Sequence, residues 1–238
     1  MDIPHVGVFP YWHNDVDRIF LRSRAKVGMP SKGKKRVAAL GDIARQLWQA
    51  NRSVGKTPSP AKKPFRAVVS LRGVLSPTQC RRLAALMSNR RKNWFQEHPS
   101  YAFSRALEDR LRPWLPLANR QGDLVFDHLS HRTAFMSSGP SRSMGIHRHP
   151  VEKTGRHADT VGINTHQVMI YLDDENDGGG TTVYEEQQHG ELRPVGVTAP
   201  MVGKATIMEQ DVWHDGGDIR TGRRHVLFLS VVMKKKTS

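Results

Sequence analysis

The chain has a single cysteine, Cys80, among its 238 residues. One cysteine excludes an internal disulfide and a zinc site built from several thiolates, and it fits a reducing compartment. The fold must therefore be held by a hydrophobic core. A chain of this length in which 37% of the residues are hydrophobic can bury one core of sizeable volume.

Long apolar runs are also missing. Nowhere do eighteen apolar residues follow one another, so no segment has the length and composition of a membrane-spanning helix. The N-terminus lacks the apolar stretch of a secretory signal, because Asp2, Pro4, His5 and Pro10 interrupt it. We therefore expect a soluble, intracellular protein of the cytoplasm or nucleus with no membrane partner.

Acidic residues are scarce in the first half of the chain. Residues 1–121 contain 24 Lys and Arg against 7 Asp and Glu, whereas residues 122–238 contain 13 against 15 and nine of the twelve histidines. A cationic segment is either simply solvated or attracts nucleic acid, acidic protein or anionic lipid. No aromatic residues alternate with the basic ones, so nucleic acid is a secondary candidate partner.

The chain divides into two parts by composition. Residues 1–64 form a basic N-terminal extension, in which Val37 to Ala50 is predicted to be a helix with Leu40, Ile43, Ala44 and Leu47 on one side. The proline-containing stretch from Asn51 to Pro64 has no large apolar anchor and is typical of a linker. Residues 65–238 form the main domain.

The main domain begins with a strand and two helices. Ala67 to Leu71 is predicted to be a strand, Ser76 to Gln79 has the residue types of a capping box that opens a helix, and Tyr101 to Leu111 has helical spacing. Short apolar runs between turn residues then indicate β-structure. These runs are Leu124–Phe126, Thr133–Met136, Gln167–Leu172, Thr181–Tyr184, Ala205–Met208 and Val226–Met233.

This pattern predicts a mainly β protein with flanking helices (α+β). Its core is expected to be a double-stranded β-helix, or jelly roll, buttressed by N-terminal helices. Gly178 to Gly180 is predicted to be a turn and not a phosphate loop, since no Lys followed by Ser or Thr comes after it and the flanking residues are acidic.

Three histidines and an arginine are the candidate site residues. His147 and His149 lie two residues apart, so a strand directs both imidazoles to the same side, where they can converge on one metal ion. His214 comes from a distant strand and completes a facial set of three ligands. Arg224 follows ten residues later, at the start of the next strand, and a guanidinium there suits an oxo-acid bound at that metal.

The order of the motifs resembles that of the iron(II) and 2-oxoglutarate-dependent dioxygenases, in particular the prolyl 4-hydroxylase-like branch. The segments that carry the resemblance are Ser138–Ser141, His147–His149, Tyr171–Leu172, Gly179–Thr182, Pro200–Gly203, and His214 with Arg224. The resemblance covers residues 65–233. It implies iron(II) as cofactor, 2-oxoglutarate as cosubstrate, ascorbate as a candidate reductant, and hydroxylation of a protein or peptide side chain such as proline. It also implies that Arg224 grips the distal carboxylate of 2-oxoglutarate and that Tyr171 offers its hydroxyl to the same cosubstrate.

One residue departs from the family pattern, because His149 stands where the family has aspartate. A second alignment restores the carboxylate by using His157 and Asp159 as alternative ligands, and a mixed set of His147, Asp159 and His214 is a further alternative. Three neutral imidazoles leave the site one unit more positive than the usual set.

Three functions therefore stay open at the level of sequence. The first is the dioxygenase just described. The second is a non-catalytic jelly-roll module that binds a polyanion and whose iron site has decayed. The third is a three-histidine dioxygenase that needs no oxo-acid, which the presence of Arg224 disfavours. Neighbouring Arg223 is expected on the opposite face of the strand, and His225 is expected to have a structural role.

Overall fold

A computed structural model describes residues 31–52, 68–86, 94–99, 101–119, 121–130, 132–140, 145–149, 152–154, 162–174 and 176–236. The helices are α1 (Ser31–Arg52), α2 (Pro77–Ala85) and α3 (Tyr101–Leu111). The strands of the first half are β1 (Val68–Leu71), β2 (Trp94–Pro99), β3 (Leu124–Leu129), β4 (Arg132–Ser138), β5 (Glu152–Thr154), β6 (Gly162–Tyr171) and β7 (Asp177–Gly178). Those of the second half are β8 (Thr181–Glu186), β9 (Leu192–Thr198), β10 (Ala205–Glu209), β11 (Trp213–Asp215), β12 (Ile219–Thr221) and β13 (Arg224–Lys235).

The strands form one large and one smaller antiparallel sheet. The large sheet has the order β1-β10-β6-β13-β4-β2, with β3 paired to β13 and β5 paired to β6. The smaller sheet has the order β11-β8-β9, and β12 pairs with β7 as a separate ribbon. Strand β13 pairs with β6, β4 and β3, so this one strand connects most of the large sheet. The predicted fold class, antiparallel β with flanking helices in a jelly-roll arrangement, is confirmed.

Alternation along the strands gives the large sheet two different apolar faces. Ile170 and Leu227 belong to the main core, which the large sheet shares with the helices, whereas Met169, Tyr171 and Val226 belong to a second cluster that also contains Val183 of the smaller sheet. We call the face of the large sheet that carries this second cluster its inner face. The candidate site residues Tyr171 and Arg224 lie on the inner face.

Helix α1 belongs to the N-terminal extension and packs against α2 and α3. The side of the helix that the sequence predicted to be apolar is buried, with Leu40, Ile43, Ala44 and Leu47 each at most 1% exposed in the main core. The helix is longer than predicted at both ends. Most of the predicted linker lies outside the described residues, and the domain boundary at residue 64 stays a prediction. No helix in the described part of the chain is long and apolar enough to cross a membrane.

The predicted capping box opens α2. The Ser76 hydroxyl accepts from the Gln79 backbone N–H at 3.2 Å, and the Gln79 side-chain oxygen accepts from the Ser76 N–H at 2.8 Å. Pro77 occupies the first helical position, where a missing N–H costs nothing. Helix α3 has the predicted bounds.

Several strands escaped the sequence analysis. Strand β9 contains Arg193, Pro194 and Gly196 and has no buried alternating face, because it lies at the edge of the smaller sheet. The turn predicted at Gly178 to Gly180 is wrong in its first residue, since Gly178 pairs with Ile219 in the ribbon of β7 and β12. These pairings join segments far apart in sequence, so local patterns do not reveal them.

Replacing Ile43 by Ala should lower the free energy of unfolding by about 2 to 5 kcal/mol, because a fully buried side chain of α1 is truncated. The matched control is Gln49→Ala on the exposed side of the same helix, which should change stability little. Denaturant unfolding measures both variants. Equal stability of the two would show that α1 does not pack on the core.

Candidate active site

Backbone pairing brings the predicted histidines together. His147 and His214 form an isolated antiparallel bridge in which each backbone N–H donates to the other residue's carbonyl at 2.8 Å. The His149 N–H donates to the Gln210 carbonyl at 2.8 Å, so the segment 147–149 continues along the approach to β11. The ring centroids lie 4.4 Å apart for His147 and His214, 5.0 Å for His147 and His149, and 5.3 Å for His149 and His214.

Two of these rings have a defined tautomer. His147 Nδ1 lies 2.8 Å from the Gly145 carbonyl and His214 Nδ1 lies 2.9 Å from the Val212 carbonyl. A carbonyl only accepts hydrogen bonds, so Nδ1 carries the proton in both rings. In the neutral form of either ring the lone pair is then on Nε2, which is the arrangement found when a second group orients a metal-binding imidazole.

The charge state of His214 also suits a ligand. The pKa of His214 is lowered to about 4, mainly by burial and to a smaller extent by the neighbouring imidazoles, while the hydrogen bond to the Val212 carbonyl and the charge of Asp215 oppose the shift. The ring is therefore neutral at physiological pH, and its lone pair is available without the loss of a proton.

The donor set fits a divalent transition metal. One nitrogen from each ring lies within 4.8 Å of the others. Nitrogens bound to one such ion lie about 3 Å apart, since each metal–nitrogen bond is about 2.1 Å long. The rings would have to move closer together to bind one ion, and three imidazoles suit iron, zinc, copper or nickel. Within the described residues this group has no carboxylate, and the alternative ligands His157 and Asp159 lie outside the described residues.

Arg224 is a buried cation with one edge free. The residue is 2% exposed, and its Nη1 donates to the carbonyls of Gly179 and Gly216, both at 2.6 Å. Its Nε is buried and has no hydrogen-bond partner in the described part of the chain. Burial lowers the pKa of Arg224, while Tyr171, Asp173 and Asp215 oppose that shift from a distance. A ligand carboxylate at this edge would satisfy Nε and neutralise the charge.

Glycines make room for the guanidinium. A Cβ at Gly216 would lie 2.8 Å from Arg224 Nη2, and a Cβ at Gly217 would lie 2.5 Å from the Gly180 carbonyl. Gly179 has a φ of 70°, a conformation that other residues rarely adopt. The two glycine-rich segments, residues 178–180 and 216–217, thus form a carbonyl cage around one face of the Arg224 side chain. The sequence analysis missed this role, although the two glycine runs were its visible signal.

Asp215 fixes one side of this cage. Its carboxylate accepts from the Gly217 backbone N–H at 2.9 Å and from the Tyr184 hydroxyl at 2.6 Å. Both hydrogen bonds hold the turn whose Gly216 carbonyl faces Arg224. Asp215 directly follows His214, so the same short segment positions a histidine and the cage. No sequence motif pointed to Asp215 or Tyr184.

Tyr171 lies beside Arg224 on the inner face. Strand pairing places Tyr171 opposite Val226, which is two residues from Arg224 and on the same side of β13. The phenol is fully buried, and its hydroxyl lies 2.6 Å from the Thr181 hydroxyl. Burial raises the pKa of Tyr171, against the opposing effects of Thr181 and the Arg224 charge. Tyr171 therefore stays protonated at neutral pH and can donate a hydrogen bond.

The neighbouring basic residues have other partners. Arg223 Nε donates to the Ser137 hydroxyl at 3.2 Å, away from the cage. The His225 ring contacts the Asp173 carboxylate, which also accepts from the His225 backbone N–H at 3.1 Å. Of the two consecutive arginines, only Arg224 points into the cage.

No protein-family model matches the sequence, and no curated protein matches it significantly. The structure is similar to that of the viral collagen prolyl hydroxylase vCPH from Paramecium bursaria Chlorella virus-1 in complex with 2OG, with a TM-score of 0.49, 12% identity, and coverage of 72% of this chain and 97% of that chain. It is also similar to a Pseudomonas putida prolyl-4-hydroxylase, with a TM-score of 0.46, 14% identity, and coverage of 83% of this chain and 100% of that chain. A 2OG-Fe(II) oxygenase family oxidoreductase from Burkholderia pseudomallei gives a TM-score of 0.45, 15% identity, and coverage of 81% of this chain and 90% of that chain. The similar structures thus carry names from the superfamily that the sequence motifs resemble.

Replacing Gly216 by Ala should displace the Arg224 guanidinium, because the new Cβ would contact Nη2. We expect a loss of stability of about 1 to 3 kcal/mol from overpacking and weaker binding of small dicarboxylates, with divalent-metal affinity kept. The matched control is Gly196→Ala, since nothing lies within 4 Å of a Cβ there. Isothermal titration with metal and with 2-oxoglutarate measures both effects. Unchanged 2-oxoglutarate binding in the Gly216 variant would contradict the cage.

Proposed function

We propose that the protein is an iron(II)- and 2-oxoglutarate-dependent dioxygenase that hydroxylates a macromolecular substrate. One observation carries the proposal: three imidazoles converge, and one of them, His214, lies on the segment that leads directly to a cage around a buried arginine whose Nε has no partner among the described residues. The first group suits a metal ion and the second suits a carboxylate. A small molecule with an oxo-acid at one end and a carboxylate at the other would bind the metal with the first group and Arg224 with the second.

His147, His149 and His214 would hold the iron. Iron(II), when bound, supplies the redox chemistry that couples oxidation of 2-oxoglutarate by dioxygen to hydroxylation of a C–H bond. The three imidazoles are neutral donors, so they leave the full double charge of the ion to be balanced by an anionic ligand. A dianionic cosubstrate with its distal carboxylate at Arg224 would bring one negative charge to the metal, so iron, arginine and cosubstrate together would keep one net positive charge.

Arg224 would hold the distal carboxylate of the cosubstrate. Nη1 is already engaged by two carbonyls, so the edge formed by Nε and Nη2 is the one that offers two parallel donors. Tyr171 would add a neutral donor from the adjacent strand. The buried side chains of Met169, Met208 and Val226 surround this region with apolar surface, which limits water and strengthens each polar contact.

The third histidine favours a second candidate function. A three-histidine iron site also suits a dioxygenase that needs no oxo-acid, and His149 occupies the position where the resembled family has its carboxylate. That function leaves the free edge of Arg224 without a role. A non-catalytic, polyanion-binding module would leave both the histidines and the arginine without one.

The substrate follows from the resemblance and the charge. A protein or peptide side chain such as proline is the first candidate, with ascorbate as a reductant that keeps the metal in its active state. The basic N-terminal half makes nucleic acid the second candidate. We place the protein in the cytoplasm or nucleus on the grounds given by the sequence.

Anaerobic titration of the iron(II)-loaded protein with 2-oxoglutarate tests the proposal. Chelation should produce a weak charge-transfer band near roughly 500 nm, because the oxo-acid binds the metal through two oxygens. In Arg224→Ala the band should no longer saturate at low 2-oxoglutarate concentrations. Arg223→Ala is the matched control, since Arg223 points away from the cage. Bound iron without any band would favour the three-histidine alternative, and absence of iron binding would favour the binding module.

The role of His149 is tested separately by two variants. His149→Ala should weaken iron(II) binding by about tenfold or more, whereas His149→Asp should retain iron because it supplies another ligand. Competition with a metal-sensitive dye measures both affinities. Full iron affinity in the alanine variant would remove His149 from the ligand set, and Asp159→Ala would then test the mixed set.

A further inference from the structure

The inner face of β1 and β10 carries a group of polar side chains that the proposed reaction does not use. Ser70 lies directly opposite Thr206 in the register of the two strands. Both side chains are buried, at 7% and 0% exposure, and neither hydroxyl has a hydrogen-bond partner among the residues that the structure describes. A hydroxyl buried without a partner costs free energy, so two adjacent ones indicate a group that would satisfy both.

Two cations stand at the end of the same strand pair. Leu71 pairs with Ala205, so Arg72 and Lys204 are the next residues on the two strands and lie side by side, Arg72 with an exposed side chain. Lys204 is 9% exposed, and its ammonium donates to the Ala199 carbonyl at 3.2 Å, just beyond β9 of the smaller sheet. The Lys204 side chain therefore extends from the inner face. Burial lowers the pKa of Lys204, and the adjacent Arg72 guanidinium lowers it further.

No carboxylate balances these charges. Within the described part of the chain, neither Arg72 nor Lys204 forms an ion pair, and the ammonium of Lys204 has only the one carbonyl partner. Like charges directly opposite each other on paired strands destabilise a sheet. An anion bound between them would satisfy both the charges and the hydroxyls.

We propose that this part of the inner face is a binding site for a tetrahedral oxyanion of the phosphate class. The residues that form it are Ser70, Arg72, Lys204 and Thr206. Opposite residues on paired strands have Cβ atoms about 5 Å apart, and residues two apart on a strand are about 7 Å apart. Donors from four residues at this spacing can contact several oxygens of one anion, so the site suits the four oxygens of phosphate better than the two oxygens of a carboxylate.

The site borders the proposed cosubstrate region but does not include Arg224. The Tyr171 backbone N–H donates to the Lys204 carbonyl at 2.9 Å, whereas Arg224 lies on β13, on the other side of β6. The inference does not rest on the proposed function, because none of the four residues belongs to the histidine group or the cage. It needs no metal and no 2-oxoglutarate.

Phosphate titration of the full-length, metal-free protein at constant ionic strength tests the site. Saturable binding, followed by calorimetry and by the rise of Tm with phosphate, is expected in the unmodified protein and in Arg224→Ala. Lys204→Met should weaken phosphate binding by about tenfold or more, because a charge-assisted hydrogen bond is lost. Lys235→Met is the matched control, since it removes one exposed lysine from the far end of β13.

A second variant, which is expected to stay folded, distinguishes loss of phosphate binding from misfolding. Thr206→Val keeps the side-chain volume and removes an unpaired buried hydroxyl, so its Tm without phosphate should equal or exceed that of the unmodified protein, and phosphate should raise that Tm less. Equal phosphate affinity in the Lys204 and Lys235 variants would overturn the site. Phosphate binding that requires Arg224 would also overturn it, and stabilisation by acetate but not by phosphate would overturn the tetrahedral assignment.

Discussion

The buried charge of Arg224 is the constraint around which this end of the molecule is arranged. A guanidinium removed from water loses several kcal/mol of solvation, and the described protein returns only two carbonyl hydrogen bonds to one of its nitrogens. The surrounding backbone accepts that geometry because glycines at 179 and 216 allow the carbonyls to approach. The Nε of Arg224, buried and without a partner among the described residues, is the feature on which the proposed carboxylate site depends.

Strand β13 connects Arg224 to the rest of the fold. Its first residue is Arg224, and its pairings with β4, β6 and β3 fix it in the middle of the large sheet. The ten residues before it contain His214, the Asp215 turn and β12, so the histidine group and the cage are connected by a short, well-bonded segment. Displacement of either part would therefore disturb the other, which is what a site for one ligand spanning both requires.

Local sequence patterns were enough to predict several helices and a helix cap but not the contacts between segments far apart in the chain. The cap at Ser76, helix α3 and the buried side of α1 depend on neighbours within a few residues, and all were predicted. The pairing of His147 with His214, the cage carbonyls of Gly179 and Gly216, and the Tyr184 contact with Asp215 join segments tens of residues apart. Strand geometry and the resemblance to a known family together predicted that the histidines and Arg224 share one site, and the glycine runs were visible in the sequence but did not show which side chain their carbonyls contact.

The most direct test of the account is an anaerobic crystal structure of the protein with iron(II) and 2-oxoglutarate. The account predicts that the distal carboxylate of the ligand lies against the Nε and Nη2 edge of Arg224, with the metal at the ring nitrogens of His147, His149 and His214. A structure in which that edge of Arg224 contacts only protein groups, with 2-oxoglutarate bound elsewhere, would contradict it.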